Sequence, residues 1–594
     1  MKIINGDPIT FENNKYKVKI DWLDRVFYDQ LTAYEDDVTY NQHANEDLGW
    51  IETLEQIVDK ENDVDLSVRW FVYRGKSCSD SKAPMVICFD EYFETSWQRI
   101  ADREGLVILT FEYHRNIRVP DDALGKPEFG VRPDEIKSYK IVVDRVIKEQ
   151  NIDACRIYCN GISYGDMATL FYAKEYGDTL AGIANINGPT SRYNIERFGL
   201  DKFEYQLPVL QIRGEDDMSC DGYPAGLALD VKGNWNWQRN VRSHTSVINR
   251  NLWLDKNGYE DVSPEIYTDR NRMFLRYNTE SYPVIFNELA DSAHLVPVDY
   301  SEVIWELIFN RFKRNEKGEL VEITEKSWPK DEFSCGLVAG TDKAYINHKV
   351  TDLEAACIIV EPFEELNEFS EFYAKPQVNY ASFYAPAELM KKFFNIEYAI
   401  EDKKNHTNWL WGRCDENIKL DDKEVTFSAN GRNYRMFTNS SLVMIDDFAY
   451  SMGRPLLVIK DTLMIPVAEF AEMLGYYTSE RNDAIYITDH KISIGYTFAR
   501  ILREEILTGS IAEYQYEVKV LETENGSVET SAKTVSEGHQ LDISYKAEDG
   551  FTLDKMIVTI NGLEVPVYEN GDRYCVYNVL GDVTVKGLFK NEDN

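Results

Sequence analysis

Arg156-Ile157-Tyr158-Cys159-Asn160-Gly161-Ile162-Ser163-Tyr164-Gly165 is the stretch on which the fold turns. The apolar run 156–159 predicts a strand, and 163–176, closed by Gly177, predicts a helix. Only a sharp turn lies between them. The two glycines flanking Ser163 let the backbone close that turn, so the hydroxyl stands out from the carboxyl edge of a sheet, over the positive end of the following helix. A serine alcohol is a weak nucleophile and needs a base, itself oriented by a carboxylate. The plain alternative for Ser163 is a capping serine in a tight strand-to-helix turn.

The same alternation continues on either side. Short apolar runs at 68–73, 85–89, 106–111, 182–186, 209–212 and 284–286 predict strands covered on both faces. Helices are expected at 94–104 and 136–150. Such alternation from about residue 15 to 325 predicts an α/β domain, 1–325, built on a largely parallel sheet. Two later strands run into polar turns at the edge where Ser163 stands. Residues 208–212 lead into Arg213-Gly214-Glu215-Asp216-Asp217, and 283–286 lead towards Asp291-Ser292-Ala293-His294. An acid from the first turn and His294 from the second would complete the chain order serine, acid, histidine. Glu215, Asp216 and Asp217 compete for the acid, and a loop histidine with a satisfied hydrogen bond is the plain reading of His294. Between 222 and 282 the alternation lapses for longer than an ordinary connection allows, and Trp235, Trp237 and Trp253 mark an inserted cap. Helical spacing of Val303, Ile304, Leu307, Ile308 and Phe312 over 301–313 closes the domain.

The chain has 594 residues and a formal net charge of −37, so its long-range field repels phosphate backbones, and nucleic acid is a poor partner. Apolar residues make up 43% and aromatic residues 13%, enough to bury several cores. No run approaches the roughly 18 apolar residues that span a bilayer, and the first eight residues lack the apolar segment of a signal peptide. The nine cysteines include neither a CxxC pair nor a Cys/His cluster, which predicts free, mostly buried thiols and no zinc site.

Beyond the first domain, 335–500 carries a weak internal repeat. Residues 386–395 and 466–475 each begin with Pro and end in Asn or Gly, as a short helix would, and a strand at 484–487 follows the second copy. A duplicated α+β region is expected there. His348, His406 and His490 are solitary in the sequence. The last stretch, 514–594, alternates over 517–520, 541–545 and 556–560 between turns at Asn525-Gly526, Asp549-Gly550 and Asn561-Gly562, which predicts a small all-β module.

These residues resemble the α/β-hydrolase superfamily, and within it the secreted esterases similar to polyhydroxybutyrate depolymerases and feruloyl esterases. The resemblance covers about residues 15 to 315. It rests on 97–105, on Gly161-Ile162-Ser163-Tyr164-Gly165, on the Gly214 to Asp217 turn, and on Ala293-His294 followed by the Trp305 helix. In that family the acid stands three residues after the glycine, which selects Asp217 ahead of Asp216. The resemblance implies a serine esterase that forms an acyl-enzyme on Ser163, with His294 as base, no cofactor, and polysaccharide-linked or polyester substrates. Its oxyanion hole would use backbone N–H groups of Tyr164 and of Asp90 or Glu91, with Tyr92, Trp235 and Trp237 as pocket candidates. Where such esterases carry a His-Gly pair, this chain reads Cys88-Phe89-Asp90-Glu91-Tyr92. That acidic replacement motivates a second expectation, a non-catalytic surface-binding protein on a hydrolase scaffold; a peptidase of the same fold is a third. Residues 466–475 with 484–487 are similar to the stalk domain named after the N-terminal domain of copper amine oxidases, and the last module is similar to β-repeats of bacterial surface proteins. Both imply an extracellular or cell-surface setting in a Gram-positive bacterium, with contact to wall or glycan; the missing signal segment fits the cytoplasm instead.

Overall fold

The computed structural model describes residues 49–89, 94–111, 133–188, 199–215, 249–258, 264–277, 282–292, 299–360, 381–404, 421–508 and 515–591, except 439, 482, 537–540, 566, 571–572, 577–578 and 580, together with short strand pieces within 3–17 and at 363–364 and 377–378. The first domain is built on β1 (Trp50–Asp59), β2 (Val64–Arg74), β3 (Ala83–Phe89), α1 (Glu94–Glu104), β4 (Val107–Phe111), α2 (Pro133–Glu149), β5 (Ile152–Ile162), α3 (Tyr164–Tyr176), β6 (Gly182–Ile186), β7 (Val209–Gly214), β8 (Glu265–Asp269), β9 (Arg272–Tyr277) and β10 (Val284–Leu289). Among the described residues these strands form one ten-stranded sheet in the order β8-β9-β10-β7-β6-β5-β3-β4-β2-β1. The six inner strands, β4, β3, β5, β6, β7 and β10, run parallel, and an antiparallel hairpin closes each side.

Every residue of β3, β4, β6, β7 and β10 is buried, because helices cover both faces of a parallel sheet. Aromatic rings mark the two layers. Tyr158 and Trp97 stack on Phe309 at 4.7 and 5.6 Å on one face. Phe89 meets Tyr139 of α2 and Tyr172 of α3 at 5.4 and 5.6 Å on the other. A tenth strand, β1, gives no apolar signal in the sequence, since its place at the edge of the sheet leaves Ile51, Leu54 and Val58 exposed among polar residues. Two expectations need correction. The interval expected to be a cap, 222–282, contributes β8 and β9 to the sheet; the remainder of it that is described, 249–258, includes a helical segment packing Trp253 on Phe203. The helix expected over 301–313 runs as an α-helix over Tyr300–Ile304, widens to a π-helix over Trp305–Phe309 and stops, so Phe312 lies in a short strand, Phe312–Arg314.

In the second region two strand-helix units pair with each other. Strand Ser382–Pro386 and strand Thr462–Pro466 run antiparallel, with Ala385 opposite Ile465, and each leads into a short helix, Leu389–Lys392 and Val467–Met473. Both prolines end strands rather than opening the helices' first turns, a shift that follows from φ near −65° suiting either place. A second sheet brings Ser334–Val338 against Ala484–Thr488, which pairs in turn with Tyr477–Arg481. This region does not hang free. Val338, Tyr345, Ala484, Tyr486, Phe498, Leu502 and Leu507 belong to the same apolar core as the ten-stranded sheet. At residues 515–591 two sheets of five and four strands enclose a separate core that includes Val558, Leu541 and Val585, consistent with the expected all-β module. Asn525, Asn561 and Gly562 adopt the positive φ that its tight turns require. Among the described residues Cys78, Cys88, Cys155, Cys159, Cys335, Cys357 and Cys575 are all free thiols. No helix among them is long and apolar enough to cross a membrane.

Candidate active site

Ser163 occupies the one-residue joint between β5 and α3, with φ 54° and ψ −116°, a region that side-chain-bearing residues rarely enter. The surrounding packing holds it there. A Cβ on Gly161 would lie 2.2 Å from the Gly165 carbonyl oxygen, so the chain folds back on itself more tightly than any other residue permits. The Ser163 N–H donates to Ile186 O at 2.9 Å, and its carbonyl accepts from Asp166 N at 3.1 Å. Inside the first turn of α3, Asp166 is buried, accepts a hydrogen bond from the Asn185 amide, and leaves no room for a side chain at Gly188. Burial holds the Asp166 carboxyl well above the usual carboxylate range. Ser163 itself is half-buried, at the amino end of a thirteen-residue helix whose dipole favours negative charge.

Ile162, Ile186, Ile212 and Asn287 lie side by side across β5, β6, β7 and β10, so the segments that leave these strands issue from one edge of the sheet. At that edge the ends of β7 and β10 are pinned to each other. Gly214 N donates to Asn187 Oδ1 at 2.9 Å, Glu215 N to Leu289 O at 2.9 Å, and Asp291 N to Glu215 Oε2 at 2.6 Å. Glu215, one of the three competing acids, is thereby engaged: its buried carboxylate takes the Asp291 amide and pairs with Arg481. Asp216, Asp217, His294, Asp90, Glu91, Tyr92, Trp235 and Trp237 lie outside the described residues, and Tyr164 is described in its backbone alone.

Three charged residues of this edge were not singled out by sequence reasoning: Arg481, Asp291 and Glu288. Glu288 in β10 is fully buried and accepts the N–H groups of Thr497 and Phe498 at 2.8 Å each, from the start of the helix Tyr496–Ile501. A side chain on Gly495 would strike it. Burial, reinforced by the neighbouring Glu215 carboxylate, pushes the Glu288 carboxyl up from 4.5 to about 7. The folded chain therefore binds this proton more tightly than the unfolded chain, and the stability it contributes is complete below pH 4.5 and lost as pH rises to about 7. Glu288→Gln does not titrate there. The stability difference, wild type minus Glu288→Gln, is expected to fall by about 3 kcal/mol across that window and level off above it. Urea midpoints at several pH values test this, and a difference that stays flat with pH contradicts it.

His348 and His490, solitary in the sequence, meet around Asp331. His348 Nε2 lies 2.6 Å from the Asp331 carbonyl oxygen and His490 Nε2 3.8 Å from Asp331 Oδ1. Tertiary folding brings together what sequence spacing kept apart; His406 lies outside the described residues. Among the described residues no group of three or more His, Cys, Asp or Glu side chains is arranged to hold a metal ion.

Six parallel strands with helices on both faces, antiparallel hairpins at the sides and a strained serine between the third strand of that set and its helix define an α/β-hydrolase fold. No family model matches the chain. Over 124 residues it is 27% identical to the bifunctional acetylxylan esterase/xylanase XynS20E of Neocallimastix patriciarum, a match that takes in 21% of this chain and 16% of that protein. Among solved structures, an acetyl xylan esterase from Aspergillus awamori overlaps 44% of this chain and 99% of its own, with 12% identity and a TM-score of 0.32. The poly(3-hydroxybutyrate) depolymerase LpqC from Bordetella parapertussis overlaps 47% and 97%, with 12% identity and a TM-score of 0.30.

Proposed function

We propose that this protein is a serine hydrolase of carboxylic esters, acting on polysaccharide-linked or polyester substrates. The observation that carries the reading is the backbone of Ser163, held at φ 54° and ψ −116° between β5 and α3 by a glycine that tolerates no side chain. Strain of this kind costs on the order of 1–3 kcal/mol and persists where an exposed hydroxyl is worth that cost. The acetylxylan esterase named among the relatives supports the ester class.

In this reading Ser163 Oγ attacks the ester carbonyl carbon while His294 takes the hydroxyl proton, and Asp217, in preference to Asp216, orients the imidazole and stabilises its charged form. The oxyanion is met by the Tyr164 N–H, with a second N–H from Asp90 or Glu91. His294 then returns the proton to the departing alcohol, leaving an acyl-enzyme. Water repeats the sequence: it attacks the acyl carbon while His294 takes its proton, and His294 then returns that proton to Ser163 Oγ as the acyl–oxygen bond breaks and the carboxylic acid departs. The β-rich module serves as a non-catalytic appendage in contact with polymer or wall, in an extracellular setting.

A fluorophosphonate probe followed by peptide mass mapping tests the proposal. One label per chain, on the peptide containing Ser163, is the expected result. A folded chain that takes no label, and does not hydrolyse p-nitrophenyl acetate, would falsify it and leave the binding-scaffold reading.

A further inference from the structure

The acidic groups at the carboxyl edge of the sheet are tied to the second region as well as to each other. Arg481 ends the strand Tyr477–Arg481; its Nη2 lies 2.6 Å from Asp291 Oδ1 and its Nε 3.5 Å from Glu215 Oε1. The Glu215 side chain is 2% exposed and that of Asp291 71%, so one cation spans a buried carboxylate after β7 and an exposed one after β10. The same edge is held a second time where Thr497 and Phe498 donate to Glu288. Position in the chain gives these contacts their meaning. Glu215 stands two residues before Asp217, and Asp291, itself at φ 54°, stands three residues before His294.

We propose that Arg481 is a positioning residue for ester hydrolysis: by bridging Glu215 and Asp291 it fixes the spacing of the segments leaving β7 and β10, two and three residues before Asp217 and His294 in the chain, so the second region contributes to the active site. The inference rests on the serine-hydrolase reading above and adds to it a residue from outside the hydrolase domain. The physics is that of a clamp. Without the guanidinium, the buried Glu215 carboxylate loses a cationic neighbour close to buried Glu288, and the Asp291 amide is held by a carboxylate that now favours moving towards water. A shift of about 1 Å between acid and base is enough to lower turnover about a hundredfold.

The test uses the full chain with Arg481→Ala and Arg481→Lys. Hydrogen exchange of peptides covering 214–217 and 290–294 is expected to quicken about tenfold in Arg481→Ala, with 182–186 unchanged. For p-nitrophenyl acetate, kcat is expected to fall about 30- to 100-fold with KM within about twofold, and Arg481→Lys, whose ammonium still reaches one carboxylate, to recover part of the loss. Unchanged exchange in Arg481→Ala overturns the clamp. Quickened exchange with kcat within twofold of a wild type that is labelled at Ser163 overturns its part in hydrolysis while the hydrolase reading stands. A wild type that takes no label overturns the hydrolase reading itself, and the exchange arm still decides whether Arg481 holds the two turns.

Discussion

Replacing Ser163 by Ala is expected to lower kcat for a short p-nitrophenyl ester by about 10⁴-fold or more, and replacing it by Gly to do the same while raising stability by about 1 kcal/mol. The two halves of this expectation come from different atoms. Loss of Oγ removes the group that forms the acyl bond, and no other described residue at that edge offers an equivalent, so both variants lose turnover alike. Stability is set by the backbone. At φ 54° and ψ −116° a Cβ is strained, and alanine keeps that strain while glycine relieves it, less the entropy that glycine loses on folding. Thermal midpoints of the three proteins, measured beside turnover, check both parts. Equal midpoints for Ala and Gly would show that the joint is relaxed; undiminished turnover in Ser163→Ala would show that it is not the nucleophile.

Glu505→Ala is expected to destabilise the chain by about 3 kcal/mol or more, because it breaks a buried ion pair from one side only. Arg250 is buried to 1% exposure, and its guanidinium contacts Glu505 Oε1 at 2.5 Å and the Tyr277 hydroxyl oxygen at 2.9 Å while lying over the Tyr277 ring. Glu505 sits in the π-helix Leu502–Leu507, far along the chain from Arg250 and β9. Deleting the carboxylate leaves a buried cation with hydrogen bonds only to neutral groups, whereas deleting both partners leaves no buried charge at the joint. The double variant Arg250→Met with Glu505→Leu is therefore expected to recover most of the loss, which makes the coupling term large and opposite in sign to the single changes. Denaturant midpoints of the four proteins measure it, and a cost below about 1 kcal/mol for Glu505→Ala would mean that water reaches the pair.

What could be read from the sequence follows from burial. β3, β4, β6, β7 and β10 are buried from end to end because both faces are covered, and the short apolar runs within them, such as 85–89 and 284–286, identify them without knowledge of their neighbours. Outer strands give no such signal. Trp50–Asp59 mixes exposed Ile51 and Leu54 with glutamates, and β8 turns into β9 through Arg270 at φ 62°, a place where glycine or asparagine would have announced a hairpin. The helix beginning at Tyr300 misled in its last turn, since spacing that suits a helix also lets Phe312 bury its ring from a strand. The strand-to-helix joint at Ser163 was legible because its signal is local: two glycines and a change of periodicity within a few residues. Arg481 was not, because nothing in Tyr477–Arg481 indicates that its last side chain will reach Glu215 and Asp291.

The apolar core shared by the ten-stranded sheet with Tyr486, Phe498 and Leu502 also bears on ancestry. Modules that join through a linker can be traded among genes, since each half keeps its own interior after the exchange. Here the seam runs through the interior itself, so a recombination event falling between the two would hand the recipient a sticky, half-finished wall. Lineages carrying this chain are expected to have inherited both halves together, with drift confined to the outer surfaces of each.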